Sequence, residues 1–340
     1  MQRVRVNGSF SRWVPVLSGI PQGTILGPLL FVIYINDIED SSLQGSNLFV
    51  YADDVKMYKH CNDIGDASRL QADLRVIENW SETWLMKLNI NKCKVITYSR
   101  NEPIEFNYYI NGIKLDRVHT FKDLGVTFDT KLKFTNHVNN VVNKANSVLG
   151  VIKRNFQYLS KESFVTLYKA MVRSHLEYAV SVWSPLYQED VKNLERVQKR
   201  ATKLIRELKD LPYRERLIKL KLPTLKFRRI RGDMIELFKI MTNIYDTCTS
   251  LNIPSAPTSI ARGNKYKIFQ KHVHYKLRQH YFINRVTSVW NSLPDEVVSA
   301  DNVNTFKHRL DKFWLNQEVI YNWKADLAGS RNRSIKFFEY

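Results

Sequence analysis

Short segments that alternate apolar and polar positions occupy the first part of the chain. Residues 2–17 alternate around an Asn-Gly pair at 7–8, and residues 106–118 alternate around a second such pair at 111–112. Asn-Gly between alternating runs favours a two-residue turn whose backbone twist matches that of paired strands. The pattern therefore predicts two β-hairpins.

Residues 18–38 combine a loop with a long apolar run. Their Gly- and Pro-rich front, SGIPQG, predicts a loop. The apolar run that follows predicts a buried helix or, alternatively, a strand. Residues 48–58 then predict two short strands that meet at Asp53 and Asp54.

An amphipathic helix and further extended segments complete this first part. Residues 92–99 and 121–129 predict extended segments. Strands and helices mixed in this order indicate an α+β fold. The helix is predicted from apolar residues that recur every three or four positions, namely Leu70, Leu74, Ile77, Trp80 and Trp84.

The chain changes character after about residue 134. Four segments have the length and spacing of ordinary helices: 137–154, 161–180, 191–208 and 225–241. A Pro-containing loop and a shorter, mostly helical segment follow them. The predicted parts of the chain are residues 1–130, 131–245, 246–320 and a loosely held tail at 321–340.

The whole chain has a formal net charge of +19, and the positive charge is concentrated in its later part. Residues 1–100 hold 11 Lys and Arg against 10 Asp and Glu, whereas residues 101–340 hold 41 against 23. This excess favours nucleic acid as a partner, with an anionic membrane or a merely solvated surface as the alternatives.

Cysteine content and hydropathy bear on the compartment. Cys61, Cys93 and Cys248 have no spacing typical of a zinc site, which favours free thiols in a reducing compartment. The longest apolar run, residues 28–35, is shorter than the roughly 20 residues of a membrane-spanning helix. We therefore expect an intracellular protein, nuclear or cytoplasmic, with no membrane partner and no evident targeting signal.

Asp53 and Asp54 are the clearest chemical signal in the sequence. Adjacent carboxylates inside an apolar, strand-like run are costly unless they have a partner. A carboxylate pair at a tight hairpin provides the hard oxygen ligands that Mg²⁺ prefers. The alternative is an ordinary turn with a solvated tip, because motifs this short also occur by chance.

The context of the carboxylate pair favours the metal-binding interpretation. YADD at 51–54 follows SGIPQG at 18–23 and GPLLF at 27–31. In this order and spacing, the motifs resemble the palm of reverse transcriptases from non-LTR retrotransposons of the LINE type, specifically jockey-like elements. The resemblance continues in four later segments, residues 84–96, 121–129, 176–185 and 285–314.

This resemblance implies an RNA-directed DNA polymerase that adds deoxynucleoside triphosphates to a primer paired with an RNA template. It implies a two-Mg²⁺ site in which Asp53 is the main ligand and Asp54 assists. Lys92, in the Asn-x-x-Lys motif, would act on the leaving pyrophosphate, unless it is a solvated lysine at a strand start. The implied substrate- and template-binding residues are Ser18, Gly19, Pro21, Gln22, Gly23, Tyr51 and Ala52.

Individual residues of that set have alternative roles. Gly23 would let a nucleotide approach the backbone without a side-chain clash. Gln22 would contact the template or the incoming base, or would only orient the loop through a hydrogen bond. Tyr51 would line the site near the primer end, or would pack as a strand aromatic.

One carboxylate of the family's metal site has no counterpart at the expected position. The family takes it from a strand before the SGIPQG loop, but the first acidic residue here is Asp37, which follows that loop. No segment of this sequence resembles the family's fingers domain either. We therefore expect an incomplete Mg²⁺ site and a truncated chain that polymerises barely or not at all alone. The alternative function is a non-catalytic RNA- or DNA-binding remnant of a retroelement.

Residues 196–231 are the most basic region, with 14 Lys and Arg against 3 acidic residues. In a thumb domain, such a helical face would contact the phosphates of the RNA–DNA duplex without reading sequence. The alternative is a solvated charged helix. The predicted backbone-contacting residues are Arg196, Lys199, Arg200, Lys203, Arg228 and Arg229.

The C-terminal segment interleaves cations with aromatic residues between Lys265 and Phe282. This pattern suits single-stranded nucleic acid, although the aromatic side chains could equally belong to a core. Its three histidines, His272, His274 and His280, lack the partner spacing of a zinc site.

The predicted architecture is α+β. A partial polymerase palm, with an antiparallel sheet and helices, occupies residues 1–130. A basic, mostly helical thumb occupies residues 131–245, and a small helical C-terminal domain occupies residues 246–320.

Overall fold

The protein divides into two compact units, Met1–His119 and Thr120–Tyr340. Short strand pairs and many helices occur together, which confirms the α+β class. No helix in the described part of the chain is both long and apolar enough to cross a membrane. The structure is a computed structural model that describes residues 1–16, 19, 23–40, 43–256 and 264–329.

The first unit contains eight short strands and two α-helices among its described residues. The helices are α1 (Leu26–Ile35) and α2 (Ile64–Thr83), with 3₁₀ turns at Asn36–Asp40 and Ile90–Lys92. The strands are β1 (Arg5–Val6), β2 (Ser9–Phe10), β3 (Asn47–Tyr51), β4 (Asp54–Tyr58), β5 (Lys94–Val95), β6 (Tyr109–Ile110), β7 (Ile113–Lys114) and β8 (Asp116–Arg117).

Both hairpins predicted from Asn-Gly pairs are confirmed. In the β1–β2 hairpin Val6 pairs with Ser9, and in the β6–β7 hairpin Ile110 pairs with Ile113. Both residues of each Asn-Gly turn have positive φ, between 48° and 86°. This conformation gives the two-residue turn the right-handed twist of the strands.

The strands of the first unit form separate pairs. Among the described residues, three pairs are antiparallel hairpins, and β5 and β8 pair in parallel. The sequence predicted antiparallel strands in one palm sheet, so the parallel β5–β8 pair corrects that expectation. The chain between these strands includes the β6–β7 hairpin and is long enough for the crossover that parallel pairing needs.

The apolar run after the SGIPQG loop is a helix, α1, and not a strand. The expectation that it would be buried is wrong for most of its length, since only Gly27 and Ile35 are buried. A helix that is apolar on all sides is buried only if other elements pack around it on every side. The exposed apolar side chains of α1 include Leu26, Leu29, Leu30, Val32 and Ile33.

Helix α2 organises two small cores in the first unit. Ile77 and Trp80 pack in one core, and Leu70 and Leu74 pack against the other, as the predicted apolar stripe requires. Trp84, predicted in the same stripe, follows the helix and is 40% exposed. The helix begins at Asp63, whose side chain accepts a hydrogen bond from the backbone N–H of Asp66, a standard N-cap. The stripe therefore holds both the β3–β4 hairpin and the later strands of the unit.

The second unit is mostly helical among its described residues. Its strands are β9 (Thr120–Asp123) and β10 (Val126–Asp129), which pair as a hairpin. A π-helix at Tyr168–Arg173 joins α4 to α5. The α-helices are α3 (Thr135–Asn155), α4 (Lys161–Leu167), α5 (Ser174–Glu177), α6 (Val180–Trp183), α7 (Gln188–Ala201), α8 (Tyr213–Leu220), α9 (Leu225–Met241), α10 (Lys276–His280), α11 (Phe282–Asn291), α12 (Asp295–Val298) and α13 (Val303–Phe313), with 3₁₀ turns at Thr202–Leu204, Arg206–Leu208 and Glu318–Ile320.

The described part of the second unit has two hydrophobic cores. Helices α3 and α7 lie side by side in the first of them and run in the same direction. Near their starts, Thr135 donates a hydrogen bond to Asp190 at 2.9 Å. Ten or eleven residues further along each helix, Arg200 donates to Asn146 at 2.7 Å. Equal spacing along both helices requires a parallel arrangement, because each residue advances the helix by about 1.5 Å.

A second core begins within α9 and includes α11 and α13. The sequence predicted a loosely held tail from residue 321, but residues 321–329 are held against the rest of the unit. Thr224 donates to the carbonyl of Val319 at 2.6 Å, and the ammonium group of Lys226 donates to the carbonyl of Ala325 at 2.8 Å. Ala325 and Leu327 also pack on this core. Residues 330–340 lie outside the described part of the chain.

Candidate functional site

Asp53 and Asp54 lie at the tip of the β3–β4 hairpin. Tyr51 pairs with Asp54 across the strands, so Ala52 and Asp53 are the two residues of the turn. Ala52 has a φ of 52°, in the left-handed region that a two-residue hairpin turn requires at its first position. For a residue other than glycine, this conformation costs of the order of 1 kcal/mol. The chain therefore reverses direction at the carboxylate pair.

One face of this hairpin is packed and its tip is exposed. Leu48, Val50 and Met57 pack against the core that contains Trp80. The side chains of Asp53 and Asp54 are exposed to solvent. Tyr51 is 65% exposed, which does not fit the alternative of a packed strand aromatic. The hairpin is thus anchored along its strands and presents two carboxylates and an aromatic ring at its tip.

The SGIPQG loop is described only at two of its residues. Gly19 and Gly23 have φ values of 88° and 79°, which glycine adopts far more readily than other residues. A Cβ atom at either position would meet no atom of the described chain within 4 Å. The backbone conformation is therefore a sufficient reason for glycine here. Ser18, Pro21 and Gln22 lie outside the described residues, so their predicted contacts stay predictions.

Asn89 and Lys92 occupy a single 3₁₀ turn. The backbone N–H of Lys92 donates to the carbonyl of Asn89 at 2.9 Å. The flanking residues Leu88 and Ile90 pack into the first unit's cores, which fixes this turn, while Lys92 itself is exposed. The motif is held by its apolar neighbours with its lysine directed to solvent.

Asp37 has a structural partner. Its carboxylate accepts a hydrogen bond from the indole N–H of Trp80 at 3.0 Å, which ties the turn after α1 to α2. Within the ranges that the structure describes, no cluster of three or more His, Cys, Asp or Glu side chains could hold a metal ion. The two carboxylates of the hairpin are therefore a pair without a third ligand from these residues.

Four of the predicted backbone-contacting residues form one exposed face. Arg196, Lys199, Arg200 and Lys203 recur at intervals of three and four residues along α7 and the 3₁₀ turn after it, and all four are exposed. We call this set the α7 basic face. It extends for about 10 Å along the helix. Arg200 is also held in place by its hydrogen bond to Asn146 on α3.

Arg229 does not belong to this face, and its predicted contact with nucleic acid is wrong. The side chain is 5% exposed. Burial lowers the pKa of its guanidinium, and the charges of Glu195 and Asp233 oppose that shift. The residue is an interior cation that these carboxylates compensate, so it has no free surface for a phosphate.

Arg228 is also engaged inside the protein. It forms a bidentate pair with Glu177, in which Nη2 donates to Oε2 at 2.8 Å and Nε donates to Oε1. Burial lowers the pKa of Arg228, but the hydrogen bonds and charge of Glu177 outweigh burial and raise it. The pair joins α9 to α5, and the Arg228 side chain is 27% exposed, so its contact with a duplex stays a prediction.

A further contact involves the β9–β10 hairpin, which lies in one of the four later segments that continue the resemblance. The hydroxyl of Tyr178 donates to the carbonyl of Leu124 at 2.9 Å. Leu124 and Gly125 are the turn of this hairpin, with φ values of 42° and 85°. Sequence reasoning did not single out this contact. The glycine at 125 was the only local signal of the turn.

Comparison with known proteins shows a similarity of the same kind as the motifs. Residues 1–128 match the family model described as reverse transcriptase (RNA-dependent DNA polymerase). This match covers the β3–β4 hairpin, the SGIPQG loop and the Asn89–Lys92 turn. No solved structure matches the chain.

The relatives confirm the resemblance to non-LTR elements. The chain is 26% identical over 209 residues to the probable RNA-directed DNA polymerase from transposon X-element of Drosophila melanogaster, covering 59% of this chain and 23% of that protein. It is 28% identical over 192 residues to the RNA-directed DNA polymerase from mobile element jockey of the same species, covering 53% and 21%. The jockey polymerase of Drosophila funebris is 28% identical over 210 residues, covering 58% and 22%. The match thus spans less than a quarter of each of these relatives.

Proposed function

We propose that this chain is part of an RNA-directed DNA polymerase of a non-LTR retrotransposon. The observation that carries the proposal is the β3–β4 hairpin, which presents Asp53 and Asp54 at an exposed two-residue turn. This hairpin lies within the residues that match the reverse transcriptase family model. In this proposal, residues 1–130 contribute to the palm, residues 131–245 form the thumb, and residues 246–320 form a C-terminal segment.

The donor chemistry of the hairpin fits Mg²⁺. The ion prefers oxygen ligands, and it is commonly held by one or two carboxylates together with substrate phosphates. Asp53 and Asp54 would supply those carboxylates. When bound, Mg²⁺ would stabilise the charge that develops on the reacting phosphate.

The other residues of the first unit would position the substrates. Lys92 would place its ammonium group near the triphosphate, because its turn is fixed and its side chain is exposed. Tyr51 and Ala52 would line the site beside the carboxylates. Gly19 and Gly23 would shape the loop that approaches the incoming deoxynucleotide, with Ser18, Pro21 and Gln22 in the same loop.

The α7 basic face would hold the RNA template and its DNA partner. Four exposed cations on one helical face provide contacts to phosphates that do not depend on base sequence. This observation also supports the second candidate function, a nucleic-acid-binding protein without catalysis. Both functions place the chain where RNA is found, in the nucleus or the cytoplasm.

Primer extension tests the proposal. The 340-residue chain is incubated with oligo(dT)-primed poly(A) RNA, dTTP and Mg²⁺ or Mn²⁺, beside an Asp53→Ala variant and an Arg200→Ala variant. Because the described residues provide two carboxylates, we expect no more extension than Asp53→Ala gives, together with duplex binding that Arg200→Ala weakens. Extension that Asp53→Ala abolishes would support catalysis and would show that another group completes the site. A wild-type chain that neither extends the primer nor binds the duplex would contradict both functions.

A further inference from the structure

The segment from Lys265 to Tyr281 displays aromatic side chains on the protein surface. Four of them are about half exposed: Tyr266 at 51%, Phe269 at 47%, Tyr275 at 53% and Tyr281 at 50%. The sequence left open whether the aromatic side chains up to Phe282 belong to a core. Exposure excludes that alternative for these four, whereas Phe282 is 6% exposed and does belong to the second core.

The beginning of this segment is fixed to the second core. Asn264 donates to the carbonyls of Trp290 and Leu293, both at 3.0 Å. The backbone N–H of Ile268 donates to the amide oxygen of Asn291 at 2.9 Å, and the amide nitrogen of Asn291 donates back to the carbonyl of Ile268 at 2.9 Å. A bridge between Ser255 and Ile268 adds a strand-like contact. Tyr266 and Phe269 are thus carried on an anchored stretch of backbone.

The charge around these rings has one sign. No Asp or Glu occurs anywhere between Asp246 and Asp295 in the sequence. The segment itself contains five Lys and Arg residues, and four of them are exposed: Lys265, Lys271, Lys276 and Arg278. A surface of this kind attracts a polyanion and offers it no repelling carboxylate from its own segment.

We propose that residues 265–281 bind single-stranded nucleic acid, with bases stacked on Phe269 and Tyr275 and phosphates neutralised by the neighbouring cations. Exposed rings interleaved with cations are the common chemistry of sequence-tolerant single-strand binding. The phosphates of a duplex could contact the cations, but its bases could not stack on the rings, because they already stack on one another. The site therefore recognises the unpaired part of a template, whereas the α7 basic face contacts duplex phosphates. The inference rests on the proposed function in taking nucleic acid as the partner.

Fluorescence anisotropy tests the proposal with two probes, a labelled 12-nucleotide oligo(U) RNA and a blunt RNA–DNA duplex. We expect Phe269→Ala and Tyr275→Ala each to weaken oligo(U) binding about five-fold or more. Duplex binding should be unchanged in both. Phe269→Tyr and Tyr275→Phe should bind oligo(U) like the wild type, because a stacking ring remains.

Matched controls separate stacking from charge and from misfolding. Phe313→Ala removes a ring of similar exposure, 48%, from α13 and should change neither affinity. Lys271→Ala should reduce the slope of log affinity against log salt for oligo(U) by about 0.7. Thermal unfolding of each variant confirms the fold, and the exposure of Phe269 and Tyr275 predicts little change.

The outcomes distinguish this inference from the proposed function. If both alanine variants bind oligo(U) as tightly as the wild type, the stacking proposal is wrong even when Arg200→Ala still weakens duplex binding. If they weaken oligo(U) and duplex equally, the segment has no preference for single strands and the proposal also fails. If the wild type binds oligo(U) through Phe269 but does not bind the duplex, only the duplex-holding role of the α7 basic face is overturned. Failure to bind either probe overturns both.

Discussion

The hydroxyl of Tyr178 donates a hydrogen bond to the carbonyl of Leu124 at 2.9 Å, and its ring lies over the adjacent Gly125. This contact joins the β9–β10 turn to the segment between α5 and α6. The indole N–H of Trp183 in turn donates to the carbonyl of Tyr178 at 2.7 Å. Residues 176–185 therefore hold the β9–β10 turn, and both segments belong to the resemblance described above.

Gly125→Ala is the most direct test of this contact. Gly125 has a φ of 85°, and an added Cβ would lie 3.1 Å from Cε1 of Tyr178. We expect a loss of about 1–3 kcal/mol in the free energy of unfolding, because backbone strain and crowding add. Urea unfolding measures the loss. Gly150→Ala is the matched control: it lies within α3 and its Cβ would meet nothing within 4 Å, so it should stabilise by about 0.5–1 kcal/mol.

Asp233→Ala should destabilise the second unit strongly. The carboxylate of Asp233 accepts two hydrogen bonds from the guanidinium of Arg285, both at 2.9 Å, and both side chains are less than 10% exposed. Removal of the carboxylate leaves a buried arginine charge without compensation, which costs about 3–5 kcal/mol. Asp311→Ala breaks the more exposed pair with Arg231 and should cost no more than about 1 kcal/mol. Equal losses in urea unfolding would contradict this assignment.

Acid should weaken the fold through His280. Burial, reinforced by the charge of Arg285, lowers the pKa of His280 to about 4, and its Nε2 lies 2.9 Å from the carbonyl oxygen of Pro185. The unfolded chain takes up this proton near pH 6.5, whereas the folded chain resists it until about pH 4. The contribution of His280 to stability is thus complete above pH 6.5 and is lost as the pH falls towards 4.

His280→Gln measures that contribution. Between pH 7.5 and pH 5, the wild type should lose about 1–2 kcal/mol more unfolding free energy than the variant. Urea midpoints at the two pH values give the comparison. Parallel losses in the two proteins would show that other groups govern the acid response.

Lys199→Ala should weaken binding of an RNA–DNA duplex in a salt-dependent way. One phosphate contact fewer reduces the slope of log affinity against log salt by about 1. Lys312→Ala removes the same charge from an exposed position on α13, outside the α7 basic face, and should leave the slope unchanged. Equal effects of the two variants would mean that net charge, not this face, determines binding.

The sequence predicted local features of the fold well, because their causes are local. Asn-Gly pairs determine their own turns, and the apolar spacing of α2 selects one helical face. The hairpin of Asp53 and Asp54 was predicted on the same grounds. The turn at Leu124 and Gly125 was missed because leucine at a positive φ is not a turn signal.

Burial was harder to predict, because it depends on partners that are distant in sequence. Arg229 lies among basic residues that are exposed, and its compensating carboxylate Glu195 is 34 positions away. The apolar run of α1 indicated burial, yet most of its side chains are exposed in this structure. Hydropathy describes how strongly a side chain favours burial over water, and it does not identify the element that packs against that side chain.

Manganese binding tests the central claim most directly, namely that Asp53 and Asp54 form a divalent-metal site. Electron paramagnetic resonance measures free Mn²⁺ as it is titrated into the chain with a primed RNA template and dTTP. We predict that the wild type binds more Mn²⁺ than a variant carrying Asp53→Asn and Asp54→Asn, and that excess Mg²⁺ displaces the difference. Glu215→Gln, an exposed carboxylate on α8, should bind like the wild type. Identical titrations of the wild type and the hairpin variant would contradict the account.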